Sequence, residues 1–290
     1  MTNSPVLGVI GGSGLYSISS LKDVESLDID TPFGKPSAPV VVGTLNDKRV
    51  AFLARHGIGH TISPTEVNYR ANIYALKTLG ISQVISISAC GSLREDYSPG
   101  HIVIPDQVFD FTRSVRAQSF FGDGMVAHVG TAHPYCDDLT ARVFQAVSQT
   151  GTVAHAGGTL ITIEGPRFST KAESDLFRAW GMSIIGMTAC PEVFLAREAE
   201  MCYVTMAHVT DYDVWRTATE PVSVEMVIQT LNKNTEAARQ AIANLVEILP
   251  DNRPCPCNDA MKDAIITNPG LIPSDTRRKL RILVDKYLPS

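Results

Sequence analysis

The sequence predicts a single α/β domain with a mixed central β-sheet and helices packed around it. Two features of the chain point there. Apolar runs of strand length alternate with amphipathic stretches of helical period. Several of the apolar runs end in short polar or glycine-rich turns, as strands of α/β sheets do where ligands bind. At 290 residues, with 44 % apolar and 19 % charged residues, the chain is long enough for a large core.

The elements follow in order. Residues 6–10 read as a short strand ending in Gly11-Gly12-Ser13-Gly14. Residues 40–45 and 49–55 form a hairpin around Asn46-Asp47. Ser63-Pro64-Thr65-Glu66 starts a helix: Ser63 caps, Pro64 suits the first helical position and Glu66 completes a capping box. Val67, Ala71, Tyr74 and residues 76–79 supply its apolar face, and Gly80 ends it. Residues 84–89 are a buried strand followed by Cys90-Gly91-Ser92, and 102–104 and 108–111 are further strands. Residues 158–164 form a strand that stops at Gly165-Pro166, and Thr170 with Glu173 make a capping box for a helix to Trp180. A strand at 183–187 precedes a helix opened by Pro191, and a strand at 202–209 stops at Thr210-Asp211. Ser223 caps a long amphipathic helix closed by Pro250. Residues 251–273, rich in Pro and Asn, read as an irregular tail, and 274–288 as a last helix.

Bulk properties exclude several classes. The net charge of −5, with both signs spread along the chain, argues against a nucleic-acid binder. Arg277, Arg278, Lys279 and Arg281 form the one dense basic run, read as the solvated face of a short helix. No apolar stretch nears the ~20 residues that span a bilayer, and the opening residues lack a basic segment before an apolar core, so a cytoplasmic enzyme with no membrane contact is expected. Six cysteines then read as buried thiols, although a disulfide-rich cytosol stays open. Cys255-Pro256-Cys257 lacks the spacer and the second pair of a zinc site, and no metal site is expected. His56 and His60 have a helical ligand spacing, but Gly57 and Gly59 argue against a helix between them.

Two constellations carry chemistry. Ser13, Arg55-His56, Ser88-Ala89 and Met187-Thr188 all stand at predicted strand ends. Glycines beside Ser13 let backbone N–H groups face an anion, three hydroxyls add donors, and Arg55 adds a charged fork suited to phosphate. Each piece has a plainer reading: a tight turn, a surface ion-pair partner, a helix cap at Thr188. In Thr210-Asp211-Tyr212-Asp213, the two carboxylates at i and i+2 point the same way from an extended chain. Such a pair can accept from an exocyclic amine and, with a raised pKa, donate to a ring nitrogen. A solvated turn explains the same residues. Gly12-Ser13-Gly14 with Asp28 and Asp30 also begins a dinucleotide fingerprint, but Ser17 stands where Gly or Ala is wanted. Neither a P-loop nor a GxSxG elbow is present.

The segments GVIGGSGLY, TPFGKPS, FLARHG, VNYRANIYALK, SACGSL, IEGPRFST, IIGMTACPE and VTDYDVW, in this order from about residue 6 to 250, closely resemble the methylthioadenosine phosphorylases of the trimeric purine nucleoside phosphorylase superfamily. The tail from about 251 resembles them poorly. The resemblance implies a phosphorylase fold whose mixed sheet has partial barrel character. It implies a nucleoside phosphorylase domain over 1–250, with 251–290 a tail and helix packing on the same domain or a neighbouring subunit. It implies a homotrimer that needs no cofactor and takes inorganic phosphate as co-substrate, cleaving 5′-methylthioadenosine to adenine and 5-methylthioribose 1-phosphate. Phosphate would be held by Ser13, Arg55, His56, Ser88, Ala89 and Thr188. Met187 would lie under the sugar, Phe168 and Ser169 would border the base, and Asp211, Tyr212 and Asp213 would form the purine segment. Val224 and Val227 would line the methylthio pocket, and His128 and the C-terminal helix near Leu288 would come from a neighbouring subunit. Ser13 and Ser88 depart from the threonines of many members but keep the hydroxyl.

In this reading Asp211 donates to N7 as the glycosidic bond breaks, and Asp213 accepts from the 6-amino group. A 6-oxo purine would present an acceptor to both carboxylates, which disfavours the alternatives of a purine nucleoside or methylthioinosine phosphorylase. Two alternatives of other classes are a nicotinamide-dependent dehydrogenase and a non-catalytic nucleoside-binding protein.

Overall fold

The computed structural model describes residues 4–12, 15, 20–113, 115–216, 224–250 and 252–288. Among the described residues, eleven strands and six α-helices build one mixed sheet with helices around it. The long strand β5 (Gln83–Ser92) is its spine. On one edge it pairs with β11 (Cys202–Asp211), parallel, from Gln83 to Gly91. On the other edge lie β1 (Leu7–Gly11), parallel as far as Ile10 opposite Ser86, and then β10 (Ile184–Gly186), antiparallel from Ile185 opposite Gly91. Between those two partners, residues 87–90 have no ladder neighbour on that edge. That gap is where the candidate site lies.

From β5 the sheet runs outward in three arms. One passes through β1 to β4 (Lys48–Ala54), β3 (Val40–Leu45) and β2 (Lys22–Leu27), another through β10 to β9 (Thr159–Ile163) and β7 (Gln107–Phe111). The third passes through β11 to β6 (Ile102–Ile104) and β8 (Ala154–Ala156). The chain crosses from β6 directly to β7 and from β8 to β9, so these two arms curl toward each other. The sheet is strongly curved but not closed, which is the sense in which the expected barrel character holds.

The predicted β3–β4 hairpin forms because Asn46 and Asp47 both take positive φ, 48° and 60°, the conformation a two-residue hairpin turn needs. The capping box of α3 (Lys171–Ala179) is present in both directions between Thr170 and Glu173. Helix α4 (Ala189–Glu198) starts ahead of the expected Pro191 and is kinked at Cys190. Helix α5 (Val224–Ile248) buries Ala238, Ile242 and Leu245, as its pattern predicted. Its expected cap, Ser223, lies outside the described residues.

Three expectations are corrected. The helix expected from Ser63 begins only at Tyr69 (α1, Tyr69–Thr78), because the Asn68 side chain accepts from the Ala71 N–H and caps there. Ser63 and Glu66 do bond each other, but only close a turn ahead of it. Cys90-Gly91-Ser92 does not end the strand. Pairing to β10 and β11 carries β5 on to Ser92, so Ser88 and Ala89 sit inside a strand. Strands β2 and β8 and helix α2 (Asp137–Ser148) were not expected at all.

Helix α6 (Ser274–Val284) packs into the same core cluster as Ile73 and Tyr74 of α1, through Leu280, Leu283 and Val284. Leu288 is buried there too, within its own chain rather than free to reach a neighbour. The tail before it makes two short 3-10 turns, Pro256–Asp259 and Pro269–Leu271. Cys136 and Cys202 meet this tail at Cys255 and Cys257, so space supplies the second pair that the sequence spacing lacked. Among the described residues, no helix is long and apolar enough to cross a membrane.

Candidate active site

A cavity of about 400 Å³ opens beside the unpaired edge of β5. Its walls come from the ends of β1, β4, β9, β10 and β11, the middle of β5, and Thr235 of α5. This volume falls in the range of small-molecule sites.

One end is rich in hydroxyls and cations. Strand β4 stops at Ala54, and Gly57 turns the chain with φ +73°; a Cβ there would meet Thr61 Oγ1 at 3.1 Å. Arg55 and His56 thereby face the cavity. Ser88 Oγ lies 3.3 Å from Thr188 Oγ1, and Arg55 Nη1 donates to Ser88 Oγ at 3.4 Å. Thr188 occupies the N-cap position of α4 but makes no side-chain capping bond; its hydroxyl looks into the cavity instead. Ala89 and Gly12 line the same end. Ser13 lies outside the described residues.

Arg55 corrects the expectation of a free phosphate fork. Its Nε and Nη2 donate to Glu192 Oε2 and Oε1 at 2.9 and 3.1 Å, and Nη2 also donates to Ser86 Oγ at 2.6 Å. Glu192 is fully buried and accepts as well from Tyr203 Oη at 2.8 Å. Burial opposes the charge on Arg55, yet the Glu192 carboxylate outweighs it and holds the guanidinium protonated. The bidentate partner is therefore Glu192, leaving Nη1 turned toward Ser88. His56 Nδ1 donates to Ile62 O, 2.9 Å away, and its ring stacks on His60 at 4.4 Å. Burial, with Arg55 beside it, lowers its pKa to about 4.

The other end carries the two carboxylates, and both line the cavity. Asp211 Oδ2 accepts from Thr210 Oγ1 and Oδ1 from the Asp213 N–H, each at 2.7 Å. These donors fix the carboxyl plane. Asp213 takes φ 50°; its Oδ2 is buried with no hydrogen bond of ordinary length among the described residues, and the Ser174 hydroxyl lies near the carboxyl. Burial raises the pKa of both groups. Gly91 lies against the pair: a Cβ there would sit 3.0 Å from Asp211 Oδ1 and from Ile185 Cγ2. Tyr212 does not join them. Its hydroxyl donates to Ser98 Oγ at 2.8 Å and its ring meets Trp215 edge-on, away from the cavity. The extended-chain reading is corrected here: β11 ends at Asp211, and a turn with Asp213 at positive φ, closed by the Asp213 N–H on Asp211 Oδ1, brings the two carboxyls together.

Between the ends lie Met187, Ile185, Ile163, Phe168 and Ser169. Ser169 Oγ is buried and unpartnered, and Phe168 stays partly exposed at the rim. The Val224 and Val227 side chains lie outside the described residues. His128 is exposed and not in the cavity wall; its N–H donates to Ala264 O at 2.9 Å.

Sequence reasoning missed Glu192, Ser86, Thr210, Gly91 and Thr235. It also missed Arg116, whose guanidinium donates to Met187 O, Cys190 O and Glu164 and so braces the wall behind Met187. Arg116 is 48 residues from Glu164, and Arg55 is 137 from Glu192, so no local spacing signals either pair.

The next described strand after β1 is β2, antiparallel to β3, and no described helix lies between β1 and β2. A dinucleotide site takes a parallel strand–helix–strand unit there, whereas the next described strand runs antiparallel to its neighbour, which disfavours the dehydrogenase alternative.

A family model described as "Phosphorylase superfamily" matches residues 6–247. An S-methyl-5′-thioadenosine phosphorylase of Geobacter sulfurreducens is 50 % identical over 283 residues, 98 % of this chain and 99 % of the relative. One of Koribacter versatilis is 50 % identical, over 97 % and 96 %. These alignments extend into the tail, which the family model, ending at 247, does not reach. A methylthioadenosine phosphorylase crystal structure from an Antarctic soil metagenomic library superposes with TM-score 0.93 at 43 % identity, covering 98 % of this chain and 100 % of that one. The Schistosoma mansoni enzyme in complex with adenine gives 0.80 at 38 % identity, over 84 % and 91 %.

Proposed function

The chain belongs to the phosphorylase superfamily, and from that premise we propose that it cleaves 5′-methylthioadenosine with phosphate to adenine and 5-methylthioribose 1-phosphate. It is thus a pentosyltransferase of purine and methionine salvage. The observation that carries the reading is one cavity with hydroxyls and Arg55 Nη1 at one end and two buried carboxyls at the other.

Phosphate enters between Ser88, Thr188 and Ala89, with Ser13, Arg55 and His56 completing its shell. Arg55 acts mainly through Nη1, since Glu192 occupies the rest of the fork. Glu192 also fixes the guanidinium, so little reorganisation is needed when the anion arrives. The purine lies against Asp211 and Asp213. Asp213 Oδ2, free to accept, suits the 6-amino group, and a 6-oxo purine would leave it unpaired. Asp211 is held by two donors with its pKa raised, so it shares a proton with N7 as electrons flow onto the leaving base. Met187 packs beneath the sugar, and Phe168 and Ser169 border the base. The C1′–N9 bond lengthens first; phosphate, on the opposite face, stabilises the oxocarbenium-like carbon and then captures it. The chemistry takes no metal and no organic cofactor.

We place Val224 and Val227 at the methylthio group, and assign 1–250 to the phosphorylase domain with 251–290 as its extension. A homotrimer fits the exposed apolar cluster of Phe109, Phe111 and Trp180, whose rings pack on one another. His128 would then reach a neighbouring site. Six free thiols suit the reducing cytoplasm.

The test is base release from methylthioadenosine, methylthioinosine, adenosine and inosine, each with and without phosphate. Adenine should appear from methylthioadenosine only when phosphate is present. Release independent of phosphate would overturn phosphorolysis in favour of hydrolysis, and binding without release would leave a nucleoside-binding protein.

A further inference from the structure

At the opposite end of β11 from Asp211, four cysteines converge. Cys202 opens β11, Cys136 is the N-cap residue of α2, and Cys255 and Cys257 come from the tail. Their four sulfurs all lie within 4.8 Å of one another, and Cys202 Sγ is 3.2 Å from Cys255 Sγ. A tetrahedral zinc with Zn–S bonds of ~2.3 Å places its sulfurs about 3.8 Å apart, so the cluster needs only small side-chain adjustment. We propose that Cys136, Cys202, Cys255 and Cys257 bind one structural Zn²⁺ that fastens the C-terminal tail to the core.

Charge supports the assignment. A tetrathiolate zinc centre carries two net negative charges, and two guanidinium groups are already aimed at the sulfurs. Arg253 Nη1 donates to Cys202 Sγ at 3.5 Å, and Arg197 Nη1 to Cys257 Sγ at 3.7 Å. Backbone carbonyls hold both groups beside the cluster, Ser82 O and Glu200 O for Arg253 and Gly130 O for Arg197. Cys136, Cys202 and Cys257 are 3 %, 1 % and 2 % exposed, and only Cys255 reaches the surface, giving the closed shell of a structural site with an entry side. The soft sulfur donors select zinc over magnesium or calcium. Each thiol still protonated loses its proton as the metal binds.

Position defines the consequence. Asp211 lies nine positions along β11 from Cys202, roughly 30 Å of strand, so the metal takes no part in phosphorolysis. It holds the segment that Arg253 already ties to Ser82 O and Glu200 O, and with it the path of the chain toward α6.

Cobalt(II) titration of the full chain, purified and reduced without oxygen and stripped with a chelator, tests this. The expected result is thiolate-to-cobalt charge transfer with visible tetrahedral bands, saturating at one equivalent and displaced by Zn²⁺. Metal analysis of the unstripped chain should give one zinc per chain. Cys255→Ser should bind cobalt about a hundredfold more weakly, with methylthioadenosine turnover unchanged. A reduced, folded chain that develops no charge-transfer band overturns the proposal. So does a Cys255→Ser titration identical to that of the unaltered chain, or an anaerobically purified chain holding disulfides and no zinc. Should Cys255→Ser fail to fold, the titration of the unaltered chain still decides.

Discussion

Asp213→Asn isolates the feature that should choose between 6-amino and 6-oxo purines. Asp213 is 7 % exposed, and its Oδ2 makes no hydrogen bond of ordinary length among the described residues; the Ser174 hydroxyl lies near the carboxyl, and Oδ2 is free to accept from the 6-amino group of the substrate. Asparagine keeps the shape and removes the charge. A hydrogen bond to a charged acceptor is worth about 1.5–3 kcal/mol, so kcat/KM for methylthioadenosine should fall about 10- to 150-fold. The amide can also turn its NH₂ toward the purine and donate to a 6-oxo group, worth about 1 kcal/mol, or about fivefold, for methylthioinosine. The ratio of the two specificity constants should therefore move toward the 6-oxo substrate by about two orders of magnitude. Initial rates of base release at saturating phosphate give both constants. Equal losses on the two substrates would mean that Asp213 does not read position 6, and the orientation of the purine given above would be wrong.

Asp211→Asn should lower turnover far more than phosphate affinity, measured by initial rates and phosphate titration; near-normal turnover refutes its part in moving the proton. Glu192→Ala leaves Arg55 buried without its carboxylate and should destabilise the fold by about 3–5 kcal/mol in urea unfolding. Phosphate should recover part of that loss by pairing with the freed guanidinium, and no extra phosphate stabilisation relative to the unaltered chain contradicts this account of Arg55. Gly91→Ala presses a methyl against Asp211 and Ile185, so turnover should fall while phosphate binding holds, which calorimetry separates. His56 is held at about 4 against an ordinary 6.5, so the unfolded chain protonates it first. The stability carried by neutral His56 is then present above about 6.5 and lost as the pH falls toward 4. The difference in unfolding free energy between the unaltered chain and His56→Asn should shrink across that window, and a flat difference refutes the burial of a neutral ring.

Where a signal is local, the sequence was readable. The β3–β4 turn follows from Asn46-Asp47, and the start of α3 from Thr170 and Glu173, because each requires only neighbours a few residues apart. The two carboxylates were readable as a pair for the same reason. Strand β2 was hidden because five of its six residues are exposed, so no alternation marks it. Helix α2 does show a face, with Leu139, Val143, Ala146 and Val147 buried, and was simply overlooked. The start of α1 was misplaced because two capping groups compete within six residues, and tertiary contacts of the Asn68 amide with Phe33 O and Lys35 O decide for the second. The partner of Arg55 was beyond reach. That pairing exists only once β4 and α4 are packed together, and it changes what the arginine has left to offer an anion.

The uninterrupted course of β5 has one more implication. Ser88, at the hydroxyl end of the cavity, and Gly91, beneath the carboxylates, belong to one rigid strand, three residues apart. At ~3.3 Å per residue this is about 10 Å, the span from a sugar-facing anion to the far edge of a purine. The strand thus acts as a ruler whose graduation is the peptide repeat. Loops around the cavity can lengthen without altering that spacing. One residue gained or lost between Ser88 and Gly91 would instead shift the two ends by a full step and turn one of them to the opposite face of the sheet.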